Sequence, residues 1–146
     1  MPGAGRKLLC GFALTAAAYA QTDAMDKAAF EKVCGTCHKS SMASDLKTES
    51  EWIETVENMV ANGARGTDEQ FERVMRYLAR NLTRVNVNAA TAREMAPVLD
   101  VREETAQAVV EYRSRHGNFK TLDELTKVPG LDAAKLRAHK DRIAFK

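Results

Sequence analysis

Residues 121–136, TLDELTKVPGLDAAKL, decide the fold of the second half of this chain. Thr121 can cap a helix that the spacing of the apolar residues predicts over Leu122–Val128. Pro129-Gly130 is typical of a tight turn. The apolar spacing then predicts a last helix from Asp132 to about Arg142. The pattern therefore indicates two helices joined by a short hairpin.

A second helical pair precedes this one. Asn88 or Thr91 can cap a short helix that runs through Val98. A longer helix is predicted from Glu103 to Arg115, and it should stop at His116-Gly117-Asn118, where glycine permits a left-handed turn. The second half is thus predicted to contain two helical hairpins.

This half resembles the tandem helix-hairpin-helix domain of the bacterial competence DNA receptor and of related exported proteins. The matching phrases are VNVNAATAREM (85–95), AVVEYRSRHGNFKTLDEL (108–125) and VPGLDAAKL (128–136). The resemblance implies a hairpin with the pattern glycine, hydrophobic residue, glycine, in which backbone N–H groups approach DNA phosphates.

The hairpins of this chain depart from that pattern. The first reads Leu99-Asp100-Val101-Arg102, with no glycine, and the second reads Gly130-Leu131-Asp132, with one. Asp100 and Asp132 place negative charge where a phosphate would lie. The departure argues against ordinary DNA binding by this family's mechanism.

A basic surface nevertheless remains in this half, and weak DNA binding is one expectation for it. Its candidate residues are Arg102, Lys127, Lys135, Arg137, Lys140 and Arg142. Residues 83–146 hold 12 Lys and Arg against 9 Asp and Glu, and so small an excess can neutralise few phosphates. The favoured interpretation is therefore a docking or spacing module for a protein partner.

The first half contains the motif Cys34-Gly35-Thr36-Cys37-His38, which is typical of the covalent attachment of a c-type haem. Two thiols can form thioethers to one porphyrin, and the adjacent imidazole can bind the iron. The alternatives are a structural C-x-x-C, half of a zinc site, or a thioredoxin-like pair. A zinc site would need further ligands, and none lies near the motif in the sequence. A thioredoxin-like pair would need a βαβ pattern, and none surrounds the motif. One heme c per chain is predicted as the cofactor, with Cys34, Cys37 and His38 as its binding residues.

Three helices are predicted around this motif. The first runs from about Ala24 to Cys34, the second is capped by Ser50, and the third is capped by Thr67 or Asp68. The predicted buried stripe of the second helix is Trp52, Val56, Met59 and Val60. That of the third is Phe71, Val74, Met75, Leu78 and Leu82.

The segment from Gln21 to Leu82 resembles a small class I cytochrome c, in which an N-terminal helix ending at the haem motif crosses a C-terminal helix. Phe30 and Tyr77 are the aromatic candidates for that crossing. The resemblance implies a methionine as sixth ligand, and such a soft thioether raises the reduction potential. Met59 is the favoured choice over Met42 and Met75, and a role of Met59 in the core stays an alternative. With His38 and Met59 on the iron, single-electron transfer to redox protein partners is the predicted function.

The N-terminus has the pattern of an exported protein. Arg6 and Lys7 precede an apolar run over Leu8–Ala17, and Ala18-Tyr19-Ala20 fits a cleavage site. No stretch reaches the length of about 20 apolar residues that a transmembrane helix needs. The sequence predicts a periplasmic or otherwise exported protein with no transmembrane segment, from which Cys10 leaves with the signal peptide.

The chain is thus predicted to be all-α, with a signal peptide at 1–20, a small cytochrome c-like haem domain at 21–82 and a helix-hairpin-helix domain at 83–146. The leading hypothesis is a periplasmic monohaem c-type cytochrome with an appended interaction module, which is not an enzyme. The alternative is an exported DNA-binding helix-hairpin-helix protein that carries a haem. Catalytic haem chemistry would need an open iron site and an acid or base that the sequence does not identify.

Overall fold

A computed structural model describes residues 13–146, with side chains from residue 21 onward. Arg6, Lys7 and Cys10 of the predicted export signal lie outside the described residues. The first half contains three helices, α1 (Ala13–Cys34), α2 (Glu49–Ala61) and α3 (Asp68–Asn81), with a 3-10 turn at Ser40–Met42. No helix within the described range is long and apolar enough to cross a membrane.

Side-chain caps fix where α2 and α3 begin. Thr48 accepts a hydrogen bond from the N–H of Glu51, and the Glu51 carboxylate accepts one from the N–H of Thr48 at 2.6 Å. Thr67 and Gln70 form the same reciprocal pair at the start of α3. The prediction of Ser50 as the cap of α2 is wrong. Thr48 caps the helix instead, because it lies three residues before Glu51, which is the spacing that this reciprocal pair of hydrogen bonds, the capping box, requires.

Helices α1 and α3 cross through an apolar contact. The rings of Phe30 and Tyr77 stack with centroids 4.6 Å apart. The core of this half consists of Phe30, Val33, Trp52, Val74 and Leu78. Within the predicted stripe of α2, only Trp52 is buried, whereas Met59 and Val60 are 40% and 46% exposed. The prediction of a fully buried stripe is therefore wrong, because beyond Trp52 this face of α2 borders an open cavity.

The second half contains four helices among the described residues: α4 (Ala92–Leu99), α5 (Glu103–His116), α6 (Leu122–Leu125) and α7 (Ala133–Ala138), followed by a 3-10 turn at Lys140–Arg142. Thr91, rather than Asn88, caps α4. Helices α6 and α7 are shorter than predicted. The chain leaves α6 through Thr126, and the segment after α7 becomes a turn and then a strand.

Two short strands close the second half. β1 (Val85–Asn86) pairs in parallel with β2 (Ile143–Ala144). The Asn88 side chain donates to the carbonyls of Phe119 and Phe145 and accepts from the N–H of Phe119. The chain is therefore mostly helical, and the finer prediction of an all-α chain is wrong because of these two strands. The core of this half is a single cluster that includes Val87, Met95, Val98, Leu99, Ala106, Val109, Phe119, Leu125, Val128 and Leu136.

The two halves pack directly against each other. Arg142 is buried and donates hydrogen bonds to the carbonyls of Ala79 and Thr83, both at 2.8 Å, and to that of Arg80. The Arg93 guanidinium group of the second half lies 3.1 Å from the Glu49 carboxylate of the first. The last turn of α3 is thus capped by a side chain from the far end of the second half.

Candidate nucleic-acid interface

The first hairpin joins α4 to α5 through Asp100, Val101 and Arg102. Asp100 adopts the left-handed conformation, with φ 53° and ψ 51°. The N–H groups of Asp100 and Val101 both donate to the carbonyl of Ala96. Aspartate tolerates this conformation better than most residues other than glycine. The hairpin therefore forms although the glycine of the family pattern is missing.

The second hairpin joins α6 to α7 around Gly130. Its φ is +87°, and a Cβ atom at this position would lie 3.1 Å from Cγ2 of Thr105. Both the backbone conformation and the space favour glycine here. Because Thr105 belongs to the first turn of α5, the second hairpin lies close to the helix that follows the first.

Carboxylates occupy the surface between the two hairpins. Asp132 accepts hydrogen bonds from the N–H groups of Ala134 at 2.7 Å and Lys135 at 3.2 Å, so it caps α7 itself. Asp100 binds the ammonium group of Lys135 at 2.6 Å. The hydrogen bond to Asp100 raises the pKa of Lys135. The structure thus places both aspartates where the sequence predicted negative charge, and it gives each of them a partner.

The basic residues of this half divide into paired and unpaired groups. Arg142 is buried against backbone carbonyls, so its prediction as part of the basic surface is wrong. Lys135 binds Asp100, and Arg137 lies 3.7 Å from Asp123. The exposed cations of residues 83–146 whose side chains have no hydrogen-bond or ion-pair partner among the described residues are Arg102, Lys120, Lys127, Lys140 and Lys146.

The four site residues predicted in the first half line one apolar cavity of about 390 Å³. Cys34 is half-buried at the end of α1, and burial raises the pKa of its thiol. Cys37 is exposed, and His38 Nδ1 lies 3.3 Å from the carbonyl oxygen of Lys39. Met59 reaches the cavity from α2. As a binding site, Cys34, Cys37, His38 and Met59 remain a prediction.

The hairpin geometry defines the second half as a helix-hairpin-helix domain, and residues 80–144 match the family model described as helix-hairpin-helix motif. An uncharacterized protein of Haemophilus influenzae is 40% identical over 63 residues, which are 42% of this chain and 56% of that protein. ComE operon protein 1 of Bacillus subtilis is 34% identical over 62 residues, 42% of this chain and 30% of that protein.

A third relative is the human endonuclease/exonuclease/phosphatase family domain-containing protein 1, which is 37% identical over 60 residues, 41% of this chain and 10% of that protein. The chain thus spans little more than half of the Haemophilus protein and smaller parts of the other two. No solved structure matches the chain.

These findings contradict the leading functional prediction. Residues 80–144 match the helix-hairpin-helix family, and the relatives at 40% and 34% identity are an uncharacterized protein of Haemophilus influenzae and ComE operon protein 1 of Bacillus subtilis. In the part of the chain that the structure describes, no group of three or more His, Cys, Asp or Glu side chains is arranged to hold a metal ion. The predictions of a cytochrome c, of a covalent haem and of single-electron transfer to redox partners are therefore wrong.

Sequence reasoning missed the pairing of Asp100 with Lys135. These residues are 35 positions apart, and no local pattern connects them. It also missed Lys120 and Lys146 as exposed cations. Both lysines are visible in the sequence, but only the structure separates the unpaired cations from the paired ones.

Proposed function

We propose that this chain is an exported, non-enzymatic protein that binds duplex DNA through its helix-hairpin-helix domain. The observation that carries the proposal is the pair of hairpins lying side by side, since the backbone at Gly130 runs so close to Thr105 that an added Cβ would lie 3.1 Å from its Cγ2. Each hairpin turns through a residue with positive φ, Asp100 in the first and Gly130 in the second. The likeness of residues 80–144 to the helix-hairpin-helix family supports the same function.

The unpaired cations supply the attraction to phosphates. Arg102 lies in the first hairpin, Lys127 follows α6 in the second, and Lys140 follows α7. All three are exposed. Contacts to phosphates release counterions and carry no sequence information. The expected binding is therefore weak, independent of sequence and strongly dependent on salt.

The number of available cations sets the expected salt dependence. Each phosphate contact contributes about −0.9 to the slope of log K against log salt concentration, so three contacts give about −2.7. Raising the salt from 50 to 200 mM should then lower the affinity about fortyfold.

No catalytic activity is part of the proposal. The relatives whose names include endonuclease, exonuclease and phosphatase are matched over only 10% to 11% of their length. Their printed activity therefore does not extend to this chain. Binding through exposed cations and backbone groups requires no nucleophile or general base.

Export rests on the N-terminal pattern of Arg6, Lys7, the apolar run and Ala18-Tyr19-Ala20. An exported DNA-binding domain would meet DNA outside the cytoplasm. Fractionation followed by N-terminal sequencing tests this part, and the expected mature protein begins at Gln21. Uncleaved protein in the cytoplasm would contradict export without affecting the binding proposal.

Fluorescence anisotropy with a labelled duplex at 50 and 200 mM salt tests DNA binding by the full-length protein. The double variant Lys127→Glu/Lys140→Glu should bind at least tenfold more weakly at 50 mM, because it reverses two of the three predicted contacts. The double variant Lys32→Glu/Lys39→Glu is the matched control, since it makes the same change in net charge at two exposed lysines of the other half. The absence of binding at 50 mM, or equal losses in the double variant and the control, would contradict the proposal.

A further inference from the structure

We propose that Asp100 restrains DNA binding by holding Lys135 in an ion pair across the two hairpins. The inference rests on the proposed DNA-binding function and adds a residue that sets its strength. Lys135 is then a fourth phosphate-binding cation that the native protein keeps engaged. Phosphate must compete with Asp100 for its ammonium group.

The geometry places this ion pair at the centre of the candidate interface. Asp100 lies at the turn of the first hairpin, and Lys135 lies in the first turns of α7, directly after the second. The ammonium nitrogen is 2.6 Å from Oδ2 of Asp100 and 3.5 Å from its carbonyl oxygen. The close approach of Gly130 to Thr105 places the two hairpins beside each other.

The exposure of the pair allows exchange with a ligand. The side chains of Lys135 and Asp100 are 50% and 62% exposed. An exposed pair of this kind contributes little to stability, so it can open without unfolding the hairpins. A released Lys135 would project from the same surface as Arg102 and Lys127.

Asp132, the second carboxylate of this surface, caps a helix and pairs with no cation among the described residues. Asp132 is engaged by the N–H groups of Ala134 and Lys135, so its charge is used to cap α7. Replacing Asp132 would damage the helix as well as change the charge. Asp100 is therefore the residue whose charge can be removed with the fold preserved.

The variant Asp100→Asn tests the inference in the full-length protein. Asparagine adopts the left-handed conformation readily, and it removes the charge that holds Lys135. We expect binding to a labelled duplex at 50 mM salt to tighten about five- to tenfold, because one repulsive charge disappears and one cation is freed. The slope of log K against log salt should become steeper by about 0.9, which is the signature of one additional phosphate contact.

Two further variants separate this effect from a general change of charge. Asp141→Asn makes the same change in net charge at an exposed residue beside Lys140, and we expect it to change affinity by about twofold at most, without steepening the slope. Lys135→Met should have little effect alone, but it should abolish the gain when combined with Asp100→Asn.

The outcomes distinguish failure of the inference from failure of the proposed function. If the native protein binds the duplex and Asp100→Asn leaves affinity and slope unchanged, the inference is overturned and DNA binding stands. Equal tightening by Asp141→Asn, or a gain that persists with Lys135→Met, also overturns it. If neither the native protein nor Asp100→Asn binds at 50 mM salt, the proposed function itself fails.

Discussion

Replacing Arg142 by methionine should destabilise the whole protein strongly, although Arg142 is a charged residue near the end of the chain. The residue as a whole is only 8% exposed, and its guanidinium group donates to the carbonyls of Ala79, Arg80 and Thr83. The first two belong to the last turn of α3, where carbonyls have no partner within the helix. Methionine keeps much of the buried stem but supplies no donor.

The magnitude follows from the three bonds. A hydrogen bond from a charged donor contributes about 1.5 kcal/mol or more, and the cost of burying the guanidinium offsets part of the total. Burial also lowers the pKa of Arg142, because removing the charged guanidinium group from water disfavours its protonated form. We expect Arg142→Met to lower the free energy of unfolding by about 3 kcal/mol.

Urea denaturation of the full-length protein, followed by circular dichroism, measures this change. At an m-value of about 1.5 kcal/mol/M the midpoint should fall by about 2 M. Arg102→Met is the matched control, because Arg102 is exposed and its side chain has no partner among the described residues, and it should change stability by less than about 0.5 kcal/mol. An Arg142→Met midpoint within the range of this control would refute the role of Arg142 as a cap of α3.

Three further outcomes are expected. Gly130→Ala should lower the free energy of unfolding by about 1 to 2 kcal/mol, because alanine is strained at positive φ; an unchanged thermal midpoint would contradict this. Intact mass measurement of the purified protein should give the polypeptide alone, and added mass equal to one haem would contradict this. Cys37 should react faster than Cys34 towards a thiol reagent, since burial raises the pKa of the Cys34 thiol. Hydrogen bonds from Thr91 lower the pKa of the Glu94 carboxyl below its usual 4.5. The contribution of Glu94 to stability is therefore present above pH 4.5 and is lost as the pH falls through the lowered pKa. Between pH 7 and 3 the urea midpoint should fall less in Glu94→Gln than in the native protein, and parallel profiles of the two would contradict this role of Glu94.

Helices α4 and α5 were predictable because their signals are local. Thr91 lies three residues before Glu94, and Glu103 opens an apolar pattern that glycine ends at residue 117. The predicted ends of α5 differ from the observed ones by a single residue. Helices with a cap, a stripe and a stop are specified within their own sequence.

The wrong predictions of secondary structure lie where contacts between residues distant in sequence determine the conformation. The strand at Ile143–Ala144 exists because Val85–Asn86 lies beside it, and nothing within residues 143–146 indicates a strand. The last helix was predicted to continue to Arg142, but the bonds of Arg142 to the end of α3 require a turn there. Such contacts join residues about 60 positions apart and leave no periodic signal.

The candidate interface was predictable in part. The sequence correctly placed Asp100 and Asp132 in the hairpins and identified Arg102, Lys127 and Lys140 as exposed cations. It could not show that Lys135 is engaged by Asp100, because pairing between surface side chains depends on how the two hairpins pack.

The parallel pairing of β1 with β2 has a consequence for how this domain can be reused. The chain enters the second half at Val85 and leaves it at Ala144, and these strands lie side by side. A module whose entrance and exit lie within two residues of strand length of each other can be inserted into or attached to an unrelated protein with little rearrangement of either. This geometry suits a unit of about 60 residues that recurs as a tenth of one relative and as more than half of another.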